Sequence, residues 1–102
     1  MPQWQVLRKL ANPNGLGYTE VGSVTFGGVR FQVYPMDHEP PHVHAFVGDG
    51  WVIVDLGSDG RAVIAHRGRA IVNAKANEVL KAVSLAMEHF DDLVRLWEIM
   101  HL

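Results

Sequence analysis

The sequence contains no cysteine among its 102 residues. A disulfide framework, a thiolate metal site and a cysteine nucleophile are therefore excluded, and any bound metal ion would need imidazole nitrogen and oxygen ligands. A chain of this length is expected to form a single domain around one modest hydrophobic core.

Long apolar segments are also missing from the sequence. No unbroken apolar run approaches the roughly 18 residues that a membrane-spanning helix needs. The N-terminus carries Trp4, Gln5, Arg8 and Lys9 where a signal peptide would have its apolar segment. These features predict a soluble cytoplasmic protein without a membrane partner.

A net positive charge is absent as well. Nine Lys and Arg residues stand against 11 Asp and Glu residues, which gives a formal net charge of -2. This balance argues against a general nucleic-acid binder. RNA nevertheless remains a candidate partner, because the sequence has one local basic stretch. That stretch consists of Arg61, His66, Arg67, Arg69 and Lys75.

Alternating apolar residues predict an antiparallel sheet in the first two thirds of the chain. Gly27 and Gly28 indicate a two-residue hairpin loop, because both glycines tolerate a positive φ. In that hairpin Phe26 pairs with Val29, and every second side chain lies on one face. The expected apolar face contains Val24, Phe26, Val29, Phe31 and Val33.

A second hairpin is predicted between residues 42 and 56, with Asp49 and Gly50 as its loop. In this register His44 faces Asp55 across the two strands. The opposite, apolar face would contain Val43, Ala45, Val47, Val52, Val54 and Leu56. The two histidines of the first strand are thus expected on the face turned away from the core.

From about residue 73 the apolar period changes from two to 3.6, which predicts helix. Asn73 or Asn77 is expected to cap the N-terminus of this helix. An unbroken helix to residue 101 would be about 40 Å long, twice the length of a six-residue strand. Either it breaks near His89 and Phe90, or its C-terminal half leaves the sheet and forms a homodimer. The expected apolar stripe is Val79, Leu80, Val83, Met87, Phe90, Val94, Trp97 and Met100.

The predicted fold is α+β. It consists of a four- to five-stranded antiparallel meander sheet with one long or two short C-terminal helices packed on one face. A fourth strand is expected from Arg61 to His66, with Val63 and Ala65 toward the core. The single domain, 1–102, would comprise an N-terminal addition (1–22), the sheet with its histidine motif (23–66) and a C-terminal helical region (73–101).

The segment Asp-His-Glu-Pro-Pro-His-Val-His, residues 37–44, is the best candidate for a functional site. It contains three imidazoles and two carboxylates within eight residues. His42 and His44 project from one face of the predicted strand, and the register adds Asp55. With His38 reaching in from the loop, these four residues would bind a divalent transition metal such as Zn, Ni, Mn or Fe.

The same segment also suits acid-base catalysis without a metal. His42 or His44 would act as general acid or base near neutral pH, with its tautomer fixed by Asp37 or by the carboxylate opposite His44. Arg30 or Arg61 would then bind an anionic substrate. This alternative describes a small hydrolase, either a ribonuclease or a phosphodiesterase.

A purely structural interpretation stays open beside these two. Asp37 and Glu39 would then cap the turn, and His42 and His44 would make only packing and cross-strand contacts. Whether the protein is an enzyme is left open by the sequence.

Several runs together resemble the small bacterial proteins of domain-of-unknown-function family 4160. They are Gly28-Val29-Arg30-Phe31, the 37–44 segment, a strand ending near Leu56 and a late helix with Trp97-Glu98. The resemblance covers roughly residues 24 to 101. It implies a small α+β domain with the histidine motif as its hallmark, encoded beside another small protein in a toxin-antitoxin-like arrangement. A binding or interaction component of such a pair, with a nearby-encoded protein partner, is therefore expected.

Overall fold

The computed structural model describes residues 3–8 and 20–101. In chain order its elements are β1 (Gln3–Arg8), β2 (Glu20–Phe26), β3 (Val29–Val33), β4 (His42–Val47), β5 (Gly50–Leu56), β6 (Ala62–Ile64), β7 (Ile71–Val72), α1 (Ala76–Glu88) and α2 (Phe90–Met100). The strands form one antiparallel sheet in the order β1 to β6, and β7 pairs with β5. The predicted α+β meander with C-terminal helices is confirmed, and the sheet has more strands than the four or five expected.

Part of the expected N-terminal addition belongs to the sheet. β1 pairs with β2 along its whole length, from Gln3 opposite Thr25 to Arg8 opposite Glu20. The remainder of this predicted segment, residues 1–2 and 9–19, lies outside the described residues.

The β2–β3 hairpin has the predicted loop and register. Gly27 and Gly28 take φ angles of 55° and 80°, which are the positive values that a tight hairpin turn requires. Phe26 pairs with Val29, as expected. The apolar face of this hairpin is confirmed, since its five residues are all buried: Val24, Phe26, Val29, Phe31 and Val33.

The β4–β5 hairpin has a different loop from the predicted one. Val47 pairs with Gly50, so the loop is Gly48-Asp49, and the expectation of Asp49-Gly50 was wrong. Gly48 takes a φ of 52° as the first loop residue, a backbone conformation that favours glycine. The turn therefore forms where its first position is a glycine.

The corrected loop shifts every pair in the β4–β5 ladder by two residues. His42, and not His44, now lies opposite Asp55, while His44 lies opposite Ile53. Because side chains alternate with a period of two, this shift leaves each residue on its predicted face. The predicted apolar face is buried: Val43, Ala45, Val47, Val52, Val54 and Leu56. The opposite side of the sheet, which carries His44 and Ile53, is called the open face below.

β6 is shorter than the predicted fourth strand and presents different residues to the core. Val63 pairs with Asp55, which belongs to the open face, so Val63 is exposed and its expected core position was wrong. Ala62 and Ala65 are buried, which confirms the expectation for Ala65.

The C-terminal helical region breaks at His89, in agreement with the first of the two expected alternatives. The N-cap of α1 is Lys75, so the expectation that Asn73 or Asn77 caps this helix was wrong. The Lys75 backbone N–H donates to Oε1 of Glu78 over 2.9 Å, which satisfies a backbone donor at the start of the helix.

α1 packs on the sheet through small residues. Its buried residues are Val79, Ala82 and Ala86, whereas Leu80 and Met87 are 71% and 45% exposed. The predicted stripe was therefore wrong for Leu80 and Met87. Alanine side chains allow the helix to lie close to the sheet. Met87 lies at the edge of this contact, because its Sδ accepts a hydrogen bond of 3.0 Å from the Ala62 backbone N–H.

α2 buries Leu93, Leu96, Trp97 and Met100. At Gly22 in β2 the helix comes so close that an added Cβ would lie 2.6 Å from Met100 Sδ and 3.0 Å from Leu96 Cδ1. The apolar tail is thus largely covered by the chain's own sheet. Within the described residues, no helix is long and apolar enough to span a membrane.

Candidate functional site

The loop between β3 and β4 turns back on itself and places Asp37 beside β4. The Asp37 backbone N–H donates to the Tyr34 carbonyl oxygen over 3.0 Å. In return, the Tyr34 backbone N–H donates to Asp37 Oδ2 over 2.9 Å. The Glu39-Pro40 peptide bond that follows is cis. The two hydrogen bonds between Tyr34 and Asp37 hold the carboxylate next to the two histidines of β4.

Asp37, His42 and His44 form one compact group. Asp37 Oδ2 lies 3.7 Å from His42 Nε2 and 3.9 Å from His44 Nδ1. One ligand atom from each of the three residues lies within 4.8 Å of the other two. Two ligands at about 2.1 Å from one tetrahedral Zn²⁺ lie roughly 3.4 Å apart. An inward movement of about 1 Å would therefore bring all three atoms to one ion.

The tautomer of neutral His42 follows from its hydrogen bond. His42 Nδ1 lies 2.8 Å from the Pro40 carbonyl oxygen, which can only accept, so Nδ1 is the donor. The neutral ring then has its lone pair on Nε2, the atom nearest Asp37. A backbone carbonyl that holds the second nitrogen in this way is the usual outer partner of a metal-binding histidine.

His44 supplies a second buried nitrogen. Its Nδ1 atom is buried and has no hydrogen-bond partner in the protein. Burial lowers the pKa of His44, and nearby His42 acts in the same direction, whereas the Asp37 carboxylate and the Gln32 backbone act in the opposite one. The net effect favours the neutral imidazole, which is the form that binds metal ions.

The two histidines have different surroundings. His44 is half-buried on the open face, where its ring lies 5.2 Å from Tyr34 and 5.8 Å from Trp51. His42 is buried, and its ring lies 5.2 Å from Trp97 of α2. The motif was expected on the side turned away from the helix. This expectation was wrong for His42. It is the first residue of β4, and the C-terminal part of α2 lies close to this end of the strand, so the His42 ring contacts Trp97.

His38 and Asp55 lie outside this group, although sequence reasoning included both among the metal ligands. His38 is exposed in the loop. Asp55 Oδ2 accepts a hydrogen bond of 2.7 Å from Arg67 Nη1. The structure brings Asp37 to His42 and His44 instead, so the carboxylate comes from the loop and not from the neighbouring strand.

The two arginines proposed to bind substrate contact other groups. The Arg30 guanidinium lies 4.7 Å above the Phe46 ring. Arg61 Nε donates to Asp59 Oδ2 over 2.9 Å, and Arg61 lines an open cavity that also includes Pro41. Neither guanidinium belongs to the Asp-His-His group.

His101 is a residue of the site that sequence reasoning missed. Its Nε2 lies 2.9 Å from the Asp37 carbonyl oxygen, 64 residues away in sequence, and its Nδ1 lies 2.8 Å from the Trp97 carbonyl oxygen. The His101 ring also stacks on Trp97 at 3.9 Å between ring centroids. No local pattern in the sequence signals this contact, because it depends on how α2 ends over the sheet.

Fold and site together define a small α+β domain whose antiparallel sheet carries an Asp-His-His cluster at one end. The chain belongs to the family described as Domain of unknown function (DUF4160), whose model matches residues 28–98. The match includes all three residues of the cluster. No curated protein and no solved structure matched the chain in these comparisons.

Proposed function

We propose that the protein binds one divalent transition-metal ion through Asp37, His42 and His44. The convergence of a carboxylate with two imidazole nitrogens within 4.8 Å carries this proposal. Two histidines and one carboxylate are a common ligand set for Zn²⁺ and for non-haem Fe²⁺. Three protein ligands leave at least one coordination position for water or another ligand.

The electrostatics of the group support a cation between its members. Neutral His42 presents a lone pair on Nε2 to the Asp37 carboxylate, since its hydrogen is on Nδ1. His44 Nδ1 is buried without a partner on the other side of the same carboxylate. When His44 Nδ1 also carries a lone pair, the three electron-pair donors face each other in a largely buried place and repel, and a divalent cation would replace this repulsion with three bonds.

The geometry favours metal binding over metal-free acid-base catalysis. A general base oriented by Asp37 would need a hydrogen bond to it, but the distances to His42 and His44 are 3.7 and 3.9 Å. The arginines expected to steady an anionic substrate interact with Phe46 and Asp59 instead. A metal ion, by contrast, bridges separations of this size.

The wider role that we propose is that of a binding component of a toxin-antitoxin-like pair. The description of the family assigns no function, so the role follows only from the resemblance of the sequence motifs, and a small partner protein and a homodimer through the C-terminal helical region belong to the same proposal. Co-purification of the product of a neighbouring gene, together with the measured mass of the complex, tests both. A protein that purifies alone as a monomer would contradict them.

Calorimetric titration tests the metal site directly. The full chain, purified without a histidine tag and stripped with a chelator, is titrated with Zn²⁺ and Ni²⁺. We expect binding of one ion per chain. Saturation at a hundred times Kd should raise the free energy of unfolding by about 2.7 kcal/mol, measured as a thermal shift.

Substitutions locate the ion. Asp37→Asn and His44→Ala should each weaken binding at least about tenfold, or 1.4 kcal/mol. His38→Gln and His66→Gln are the matched controls, because both histidines are exposed and outside the group, and they should bind as the wild type does. No binding by the wild type, or unchanged binding by Asp37→Asn, would overturn the proposal.

A further inference from the structure

The C-terminal turn of α2 contacts the candidate metal site at two places. Trp97 packs against the ring of His42, with 5.2 Å between ring centroids. The two ring nitrogens of His101 lie beside two carbonyl oxygens, Nδ1 at 2.8 Å from that of Trp97 and Nε2 at 2.9 Å from that of Asp37. A carbonyl oxygen only accepts, so the neutral ring donates to Asp37 when its hydrogen is on Nε2. Two of the three proposed metal ligands are therefore in contact with the last residues of one helix.

The loop that carries Asp37 is held to the rest of the fold by few long-range hydrogen bonds. Near its end, the Leu56 backbone N–H donates to the Pro41 carbonyl oxygen over 2.9 Å. In the middle of the loop, the Asp37 carbonyl oxygen lies 2.9 Å from His101 Nε2. The Tyr34 bonds shape the turn locally, but His101 ties that turn to the helix.

Asp37 uses separate atoms for its two roles. Its side-chain carboxylate faces His42 and His44, and its backbone carbonyl faces His101. His101 therefore acts on the carboxylate only through the position of the Asp37 backbone. Outer partners of this kind orient the ligands that touch a metal ion and affect how tightly the ion is bound.

We propose that His101 is a positioning residue that couples metal binding at Asp37, His42 and His44 to docking of the C-terminal end of α2. The proposal rests on the metal site proposed above. Docked His101 holds Asp37 in place for the ion, and the bound ion holds Asp37 in place for His101. Because coupling between two binding events is reciprocal, each one strengthens the other by the same factor.

Two substitutions of His101 separate its hydrogen bonds from its packing. His101→Phe keeps a ring that can stack on Trp97 but has no donor for either carbonyl oxygen. His101→Gln keeps a side-chain N–H donor that can reach the Asp37 carbonyl oxygen. We expect His101→Phe to raise the Kd for Zn²⁺ by roughly tenfold and His101→Gln to raise it by less. Both are measured by titration at one fixed pH.

Hydrogen exchange of the backbone amides of residues 97–101 gives the reciprocal measurement. In the wild type, saturating Zn²⁺ should slow exchange in this segment. In His101→Phe, Zn²⁺ at saturation should no longer slow it. Asp37→Asn is the matched control, because it removes the ligand and keeps the backbone carbonyl. Its metal-free exchange should match that of the wild type, and Zn²⁺ should have no effect.

Each outcome distinguishes the coupling from the metal site itself. If both His101 variants bind Zn²⁺ as the wild type does, or if Zn²⁺ leaves exchange at 97–101 unchanged, the coupling is overturned and the metal site stands. A lower thermal stability of His101→Phe with unchanged Zn²⁺ affinity would assign His101 a structural role only. If the wild type binds no metal ion, the proposed function and the coupling are overturned together. If His101→Phe does not fold cooperatively, the comparison rests on His101→Gln, whose affinity must then fall below that of the wild type.

Discussion

His42 and Asp55 lie opposite each other in the β4–β5 ladder, but the Asp55 carboxylate accepts its hydrogen bond from Arg67 and not from His42. Pairing of the strands brings the backbones of these two candidate ligands together, but no hydrogen bond links the His42 imidazole to the Asp55 carboxylate. The carboxylate that does approach His42 comes from Asp37, in an irregular loop.

Asp55→Asn should leave the Zn²⁺ affinity unchanged, because Asp55 is outside the Asp-His-His group. Loss of the ion pair with Arg67, which is 42% exposed, should lower the free energy of unfolding by about 0–1 kcal/mol. Titration calorimetry and urea unfolding measure the two effects. A tenfold loss of affinity would instead place Asp55 among the ligands.

The stability of the metal-free protein should fall as the pH is lowered through the range in which His44 titrates. Burial lowers the pKa of folded His44 below its ordinary value of 6.5, so the unfolded chain takes up the proton first. The His44 contribution is therefore fully present above 6.5 and is lost as the pH falls toward the folded-state pKa. Urea unfolding across this range should show a shallower fall for His44→Gln than for the wild type. An equal fall in His44→Gln and in the wild type would contradict this prediction.

Gly22→Ala should destabilise the fold, because the added Cβ would lie 2.6 Å from Met100 Sδ. Such overpacking costs about 1–3 kcal/mol of the free energy of unfolding. Ser84→Ala, at an exposed position of α1, is the control and should change stability by less than about 0.5 kcal/mol. Equal unfolding midpoints for the two variants would show that α2 does not pack on β2 at this point.

Much of the fold is predictable because it depends on local patterns. The alternation of apolar and polar residues identifies the apolar faces of both hairpins, and the Gly27-Gly28 pair determines the register of the β2–β3 hairpin. The predicted register of the second hairpin was wrong by two residues. A shift of two residues leaves every side chain on the same face of the sheet, so the pattern of apolar residues cannot distinguish a Gly48-Asp49 loop from an Asp49-Gly50 loop. In α1, hydrophobicity favoured Leu80 and Met87, but close packing on the sheet selected Ala82 and Ala86.

The candidate site was only partly predictable for a different reason. His42 and His44 follow from strand periodicity, since residues two apart share a face. Asp37 belongs to the group and His38 does not, and this depends on the path of a loop that has no repeating pattern of apolar residues. The contact of His101 with Asp37 depends on where α2 ends in space, which no local pattern encodes.

One edge of the described sheet is completed by two short strands. β6, with three residues, and β7, with two, pair side by side with successive parts of β5. A long uninterrupted edge strand would present a row of backbone groups to which a strand of another molecule could add. The divided edge offers no such continuous template, so this side of the protein resists aggregation by strand addition even though Val63 and Ile71 are exposed there.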